Sequence, residues 1–147
     1  MGALERQLDD KGRLALPATF RDRLREHCYL AKGLDKCVTV VPSAVFEAEA
    51  EAMAARVRSG EVTRNQLRAL ASSAVLVELD KQGRVTLDEN LRAYAEVAVG
   101  RPVVVAGSFD RLEIWSPDRF ERVNDDGTLG LSGEGLSGEG LSGEPGA

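Results

Sequence analysis

Apolar and polar residues alternate over two short stretches, Arg13-Leu-Ala-Leu16 and Arg84-Val-Thr-Leu87. A two-residue period is the signature of a half-buried strand. The period then changes. Pro17 suits the first turn of a helix and Asp88 suits an N-cap, and the apolar pairs Phe20/Leu24 and Leu91/Ala95, four residues apart, predict a short helix after each strand. Two apolar runs around a turn come next in both places: Cys28 to Ala31 with Cys37 to Val41, and Val103 to Ala106 with Leu112 to Trp115. Both read as β-hairpins. Pro42-Ser43 and Ser116-Pro117 open further helices. The first carries Phe46, Ala50, Met53 and Val57 at spacings of four, three and four, and Ser59-Gly60 ends it. A helical stretch from Arg64 to Ser72, with Leu67, Leu70 and Ala71 on one face, follows it.

The same order of elements occurs twice because the sequence itself is repeated. Leu8-Asp-Asp-Lys-Gly-Arg-Leu-Ala-Leu16 matches Leu79-Asp-Lys-Gln-Gly-Arg-Val-Thr-Leu87 at an offset of 71; Phe20-Arg21 aligns with Leu91-Arg92 at that offset, and Asp35-Lys36 with Asp110-Arg111 at 75. Two copies of one supersecondary unit are indicated. The division predicted is a first repeat over 3–58, a helical connector over 59–73, a second repeat over 74–123 and a tail over 124–147. A unit of either size would bury only ~60% of its surface alone, so the two are expected to share one core, giving an α+β fold with a pseudo-two-fold internal repeat.

Charge separates the tail from the body. The formal charge of −5 lies wholly in residues 124–147, which hold Asp125, Asp126, Glu134, Glu139 and Glu144 and no Lys or Arg. The Leu-Ser-Gly-Glu repeats of that segment offer little apolar surface to offset ordering entropy, so it is expected to be a disordered acidic extension. The neutral body lacks the overall basic character of many nucleic-acid binders, and such a function has to come from local clustering. No aliphatic run approaches the roughly 20 residues of a membrane-spanning helix, and Glu5, Arg6, Asp9 and Asp10 interrupt any signal-peptide core. The expectation is a cytoplasmic protein. Cys28 and Cys37 lack zinc-ligand spacing and read as reduced, buried small hydrophobes.

The candidate chemistry sits in the two Asp-x-x-x-Arg loops. Gly12 and Gly83 supply the positive φ that a short hairpin loop with a bulge requires. Asp9 and Asp80 can accept turn N–H groups and balance the arginine charge. Strand alternation places Arg13 and Arg84 on the face opposite the apolar residues, with Lys11 and Lys81 at or near the loop tips. A rigid loop presenting a guanidinium and an ammonium can bind phosphate, and arginine can also reach guanine O6 and N7. The competing reading is a structural ion pair that tightens the turn.

The segments Leu8-Asp-Asp-Lys-Gly-Arg-Leu-Ala-Leu-Pro17, Gly33-Leu-Asp-Lys-Cys-Val-Thr-Val-Val-Pro42, Glu78-Leu-Asp-Lys-Gln-Gly-Arg-Val85 and Arg111-Leu-Glu-Ile-Trp115 together resemble the MraZ family over about residues 3–123. One Asp-x-x-x-Arg is weak evidence, but two in this order are specific. The resemblance implies a transcriptional regulator built from a duplicated AbrB-like swapped-hairpin β-barrel. It also implies assembly into a ring-shaped homo-oligomer that binds direct repeats of double-stranded DNA in the promoter of the bacterial division and cell-wall gene cluster, on the nucleoid. Lys11, Arg13, Lys81 and Arg84 would be the DNA-binding residues, with Asp9, Gly12, Asp80 and Gly83 supporting the loops. Three features depart from the family pattern: the Met-Gly-Ala start, Asp88 in place of a proline, and the glycine-rich tail. Asp88 adds negative charge four residues after Arg84, which predicts weaker DNA binding by the second loop.

Other constellations carry less. His27, the only histidine, has no nucleophile arranged with it by a local signature; no Gly-rich phosphate loop occurs; and no cofactor, metal or enzymatic activity is expected. Glu47, Glu49 and Glu51 spread around a helix as a solvated face. Ile114 and Trp115 suit a core or a subunit interface better than a base-stacking platform. The alternative function is a protein–protein scaffold with structural loops, whose helix from Ser43 to Arg58 docks a partner.

Overall fold

The computed structural model describes residues 2–24 and 27–133. Strand β1 (Ala3–Gln7) and the short β2 (Arg13–Ala15) flank the first Asp-x-x-x-Arg loop, followed by α1 (Ala18–Leu24), the hairpin β3 (His27–Lys32) and β4 (Val38–Pro42), α2 (Ser43–Arg58) and α3 (Arg64–Ser73). The second half repeats the order with β5 (Val75–Glu78), β6 (Arg84–Thr86), α4 (Glu89–Ala95), the hairpin β7 (Pro102–Ser108) and β8 (Arg111–Trp115), and α5 (Pro117–Gly133). Every strand, hairpin and helix that the apolar periods predict is present. The architecture is mixed α+β, with antiparallel pairing throughout.

The halves interlock through their strands. Six strands form one sheet in the order β1-β7-β8-β4-β3-β5, and β2 pairs with β6 in a second. Among the described residues only the two hairpins pair within a half; β1 with β7, β5 with β3, β4 with β8 and β2 with β6 all cross between halves. This corrects one expectation. The Asp-x-x-x-Arg segments close as hairpin-like turns, but the strands they join do not pair with each other, because each satisfies its backbone against the other half. The expected shared core is present: the buried cluster takes nine residues from each half, among them Leu14, Leu16 and Phe20 from the first and Val85, Leu87 and Leu91 from the second.

Residues up to Ser116 form one compact unit and α5 belongs to a second. The tail is not wholly as expected, since residues 124–133 continue α5 as helix. Once Pro117 and Asp118 have started a helix, each added residue costs far less than nucleation. Residues 134–147 lie outside the described residues. In α2 the expected stripe is buried at Phe46, which stacks on Tyr29 with ring centroids 4.2 Å apart, and half-buried at Ala50, Met53 and Val57. The Glu47/Glu49/Glu51 face is not merely solvated: Glu49 bonds the Arg111 guanidinium and so ties α2 to β8. Ile114 and Trp115 are buried, and His27 pairs with Glu78, its register partner on β5, at 3.3 Å.

Candidate nucleic-acid interface

Each loop is closed by its own aspartate. Asp9 Oδ1 accepts the N–H groups of Lys11 and Arg13, both at 2.8 Å, while Oδ2 takes Arg13 Nε at 2.6 Å. The second loop repeats this: Asp80 Oδ1 accepts from the backbone of Gln82 and Arg84 at 2.9 Å, and Oδ2 from Arg84 Nε at 2.7 Å. The Asp9 N–H donates to Arg13 O at 3.1 Å and the Asp80 N–H to Arg84 O at 3.0 Å. Gly12 and Gly83 complete the turns with φ of 78° and 75°, in the left-handed region where a side chain is strained. Both loops thus have Asx geometry at the aspartate and a glycine at positive φ.

Those bonds set the charge state. The Arg13 backbone N–H, more than its guanidinium, holds the Asp9 carboxyl down at about 2. The Arg84 N–H lowers Asp80 in the same way. Hydrogen bonds to the charged form favour it, so both loops carry fixed carboxylates at any pH where the protein functions. Each arginine's Nε is committed to its loop.

The β2–β6 ladder brings the loops together. Leu14 faces Val85 and both are buried, which puts Arg13, Ala15, Arg84 and Thr86 on the opposite face of the ribbon. Arg13 and Arg84 are diagonal neighbours there, with 33% and 27% of their side chains exposed. Arg84 Nη1 lies 3.9 Å from Asp9 Oδ2, so Asp9 serves both guanidiniums. Lys11 and Lys81 are exposed at the tips, while Gly12 and Gly83 are buried. The ladder continues into the loops: Leu16 N–H donates to Gly83 O at 3.1 Å and Leu87 N–H to Gly12 O at 2.9 Å. The result is one paired platform with two arginines at its centre and two lysines at its tips.

Two further arginines belong to the platform. Arg21 of α1 lies over Gly83, where an added methyl would stand 2.5 Å from its Nε, and that Nε donates to Leu16 O at 2.9 Å. Arg92 of α4 lies over Gly12, where a methyl would stand 3.1 Å from Nη1. The signal was present in the 71-residue offset that aligns Arg21 with Arg92, although nothing in the sequence says that each reaches the other half's loop. Asp88, the expected perturber of the second loop, is the N-cap of α4, and its side chain accepts from Leu91 N–H at 2.8 Å.

Among the described residues no group of three or more His, Cys, Asp or Glu is placed to hold a metal ion, and no helix is long and apolar enough to cross a membrane. Cys28 and Cys37 are free and buried, and desolvation pushes their thiols up to about 11 and about 12.

Comparison with known proteins gives the same duplicated layout. A family model described as "MraZ protein, putative antitoxin-like" matches twice, over residues 1–69 and 70–128. Its second match begins inside α3, four residues before the boundary predicted from the repeat. The chain is 41% identical over 123 residues to a "Transcriptional regulator MraZ" of Roseiflexus sp. (strain RS-1), covering 84% of this chain and 85% of that protein. Proteins of the same name from Nocardioides sp. (strain ATCC BAA-499 / JS614) and Moorella thermoacetica are each 43% identical, covering 82% of this chain and 82% and 83% of theirs. A family model spanning both halves and relatives this similar over most of their length agree: the chain belongs to the MraZ family, a family of transcriptional regulators and not of enzymes.

Proposed function

We propose that this protein regulates transcription by binding double-stranded promoter DNA in a sequence-specific manner through the Asp9–Arg13 and Asp80–Arg84 loops. The observation that carries the reading is the platform itself: two rigid, backbone-braced loops set Arg13 and Arg84 side by side, with Lys11 and Lys81 exposed beyond them. The lysines offer phosphate contacts that position the protein, and the arginines offer the planar donors that read guanine. Asp9, Gly12, Asp80 and Gly83 act on DNA only through the shape they give the loops. The interlocked halves are consistent with a duplicated AbrB-like swapped-hairpin barrel.

Because the body is neutral, one platform supplies few favourable phosphate contacts, and affinity has to come from repetition. A ring-shaped homo-oligomer that engages direct repeats supplies it, since linking weak sites raises avidity without new contacts when the spacing matches. Such a regulator works on the nucleoid, in the cytoplasm. A gel-shift titration at several salt concentrations, using DNA from upstream of the protein's own gene and a scrambled duplex, tests the reading, with light scattering on the same sample. Specific binding that weakens with salt by an oligomer supports it. Equal affinity for both duplexes overturns specificity, and tight binding by a monomer overturns the avidity argument.

One observation favours a non-enzymatic scaffold instead: both arginines already spend Nε on an aspartate of their own loop. In that reading the ion pairs are structural and α2 carries a partner. Absence of any DNA binding by the wild type selects it.

A further inference from the structure

We infer that Arg92 is the positioning residue for the first loop and Arg21 for the second, so that each loop is set by the helix of the opposite half. The backbone already crosses this way. Gly83 O receives Leu16 N–H, Leu16 O receives Arg21 Nε, and the Arg21 guanidinium lies over Gly83. One residue of the first half, Leu16, therefore grips the second loop by its N–H and the arginine by its carbonyl oxygen. The second half answers with Leu87 N–H on Gly12 O and Arg92 over Gly12. A flat guanidinium against a bare glycine leaves no room for a side chain on the loop and confines its backbone on the covered side.

The two covers differ. The Arg21 side chain is anchored to Leu16 O at 2.9 Å, whereas among the described residues the Arg92 guanidinium forms no hydrogen bond and lines an open cleft with Asp10, Lys11 and Glu89. The second loop is thus clamped, and the first is held by a side chain that can adjust when DNA arrives. Two consequences separate this from a generic packing role. Loss of Arg92 should loosen residues 9–13 and not 80–84, and loss of Arg21 the reverse. In DNA binding, Arg92 should couple energetically to Arg13 and Arg21 to Arg84, although the within-half pairs are closer in sequence.

The loop arm of the test does not depend on the DNA reading; the affinity arm rests on it. Amide hydrogen exchange is followed by mass spectrometry on the full chain for wild type, Arg21→Ala, Arg92→Ala, Arg21→Lys and Arg92→Lys. The expected result is faster exchange confined to the opposite half's loop. The lysine variants should behave like the alanine ones, because an ammonium keeps the charge but not the planar cover. If Arg92→Ala fails to fold, Arg92→Met keeps the aliphatic bulk and answers the same question. Promoter affinity is then measured for the cycles Arg92/Arg13 and Arg92/Arg84. The crossed pair should depart from additivity by about threefold or more and the other should be additive. Exchange that rises in the same half's loop, or equally in both, overturns the inference, as does wild-type exchange in both lysine variants. Crossed exchange without any effect on DNA leaves the positioning intact and sinks the DNA reading instead.

Discussion

At the scale of the residue, the two arginines are alike in geometry and unlike in surroundings. Arg13 faces Asp9, whereas Arg84 faces Asp80 and also Asp9 at 3.9 Å, so the second guanidinium is more fully balanced by carboxylates. Arg13→Ala is therefore expected to lose more promoter affinity than Arg84→Ala. A lost bidentate contact costs roughly 1–3 kcal/mol per site, and a ring multiplies it. Gel shifts against salt check this, and a larger loss at Arg84 reverses the assignment of the loops. Asp9 gives a second expectation. Its folded-state value of about 2 lies below the ordinary aspartate value of 3.8, so its contribution to loop order is fully present above that ordinary value and is lost as pH falls through about 2. Carboxyl NMR titration should place the Asp9 midpoint near 2. Because the backbone N–H of Arg13 is the largest cause, Arg13→Ala should return that midpoint only part of the way; full return would make the guanidinium the main brace.

At the scale of the element, the loops are where sequence and structure agree in detail and then part. Glycine at the fourth place of Asp-x-x-x-Arg announces a positive φ, and both turns have it. The alternation in Arg13–Leu16 and Arg84–Leu87 gives the strands, and the 71-residue offset makes their loops equivalent. None of this says with which strand each one pairs, because a two-residue period fixes a face and not a neighbour. Arg21 over Gly83 was illegible for the same reason: a contact between residues 62 positions apart leaves no local period. The unequal covers predict unequal glycines. A methyl at Gly12 would lie 2.9 Å from the Leu87 carbonyl, which cannot move without breaking the ladder, whereas one at Gly83 meets only the Arg21 side chain among its nearest atoms, which can give way at the cost of its one bond to Leu16 O. Both alanine variants incur the left-handed penalty of about 1–2 kcal/mol. Gly12→Ala should melt lower than Gly83→Ala, and equal melting temperatures would show that the carbonyl gives way.

At the scale of the whole molecule, duplication in the sequence is not independence in the fold. Four of the six strand pairings cross between halves, and the core draws equally on both. A lone half keeps only its hairpin, and an isolated two-stranded hairpin is marginal in water. It also exposes its share of the cluster: Leu14, Leu16, Phe20 and Leu30 in the first half, Val85, Leu87, Leu91 and Ile114 in the second. Burying each such side chain contributes about 1.5–3 kcal/mol, so the four named in either half together contribute roughly 6–12 kcal/mol, comparable with the whole 5–15 kcal/mol net stability usual for a domain. Fragments 1–73 and 74–133 should therefore show no cooperative thermal transition as monomers, while an equimolar mixture regains one transition near that of the intact body. The equivalence of the halves adds a further outcome: the first fragment can supply the missing strands from a second molecule of itself, pairing Arg13 loop with Arg13 loop. Circular dichroism melts combined with analytical ultracentrifugation distinguish these cases. Folding only on mixing, or only as a self-dimer, supports a platform that exists because two halves are exchanged. A folded monomeric fragment would mean that each half has its own core, and the crossed braces on the loops would then be an addition to the fold instead of its consequence.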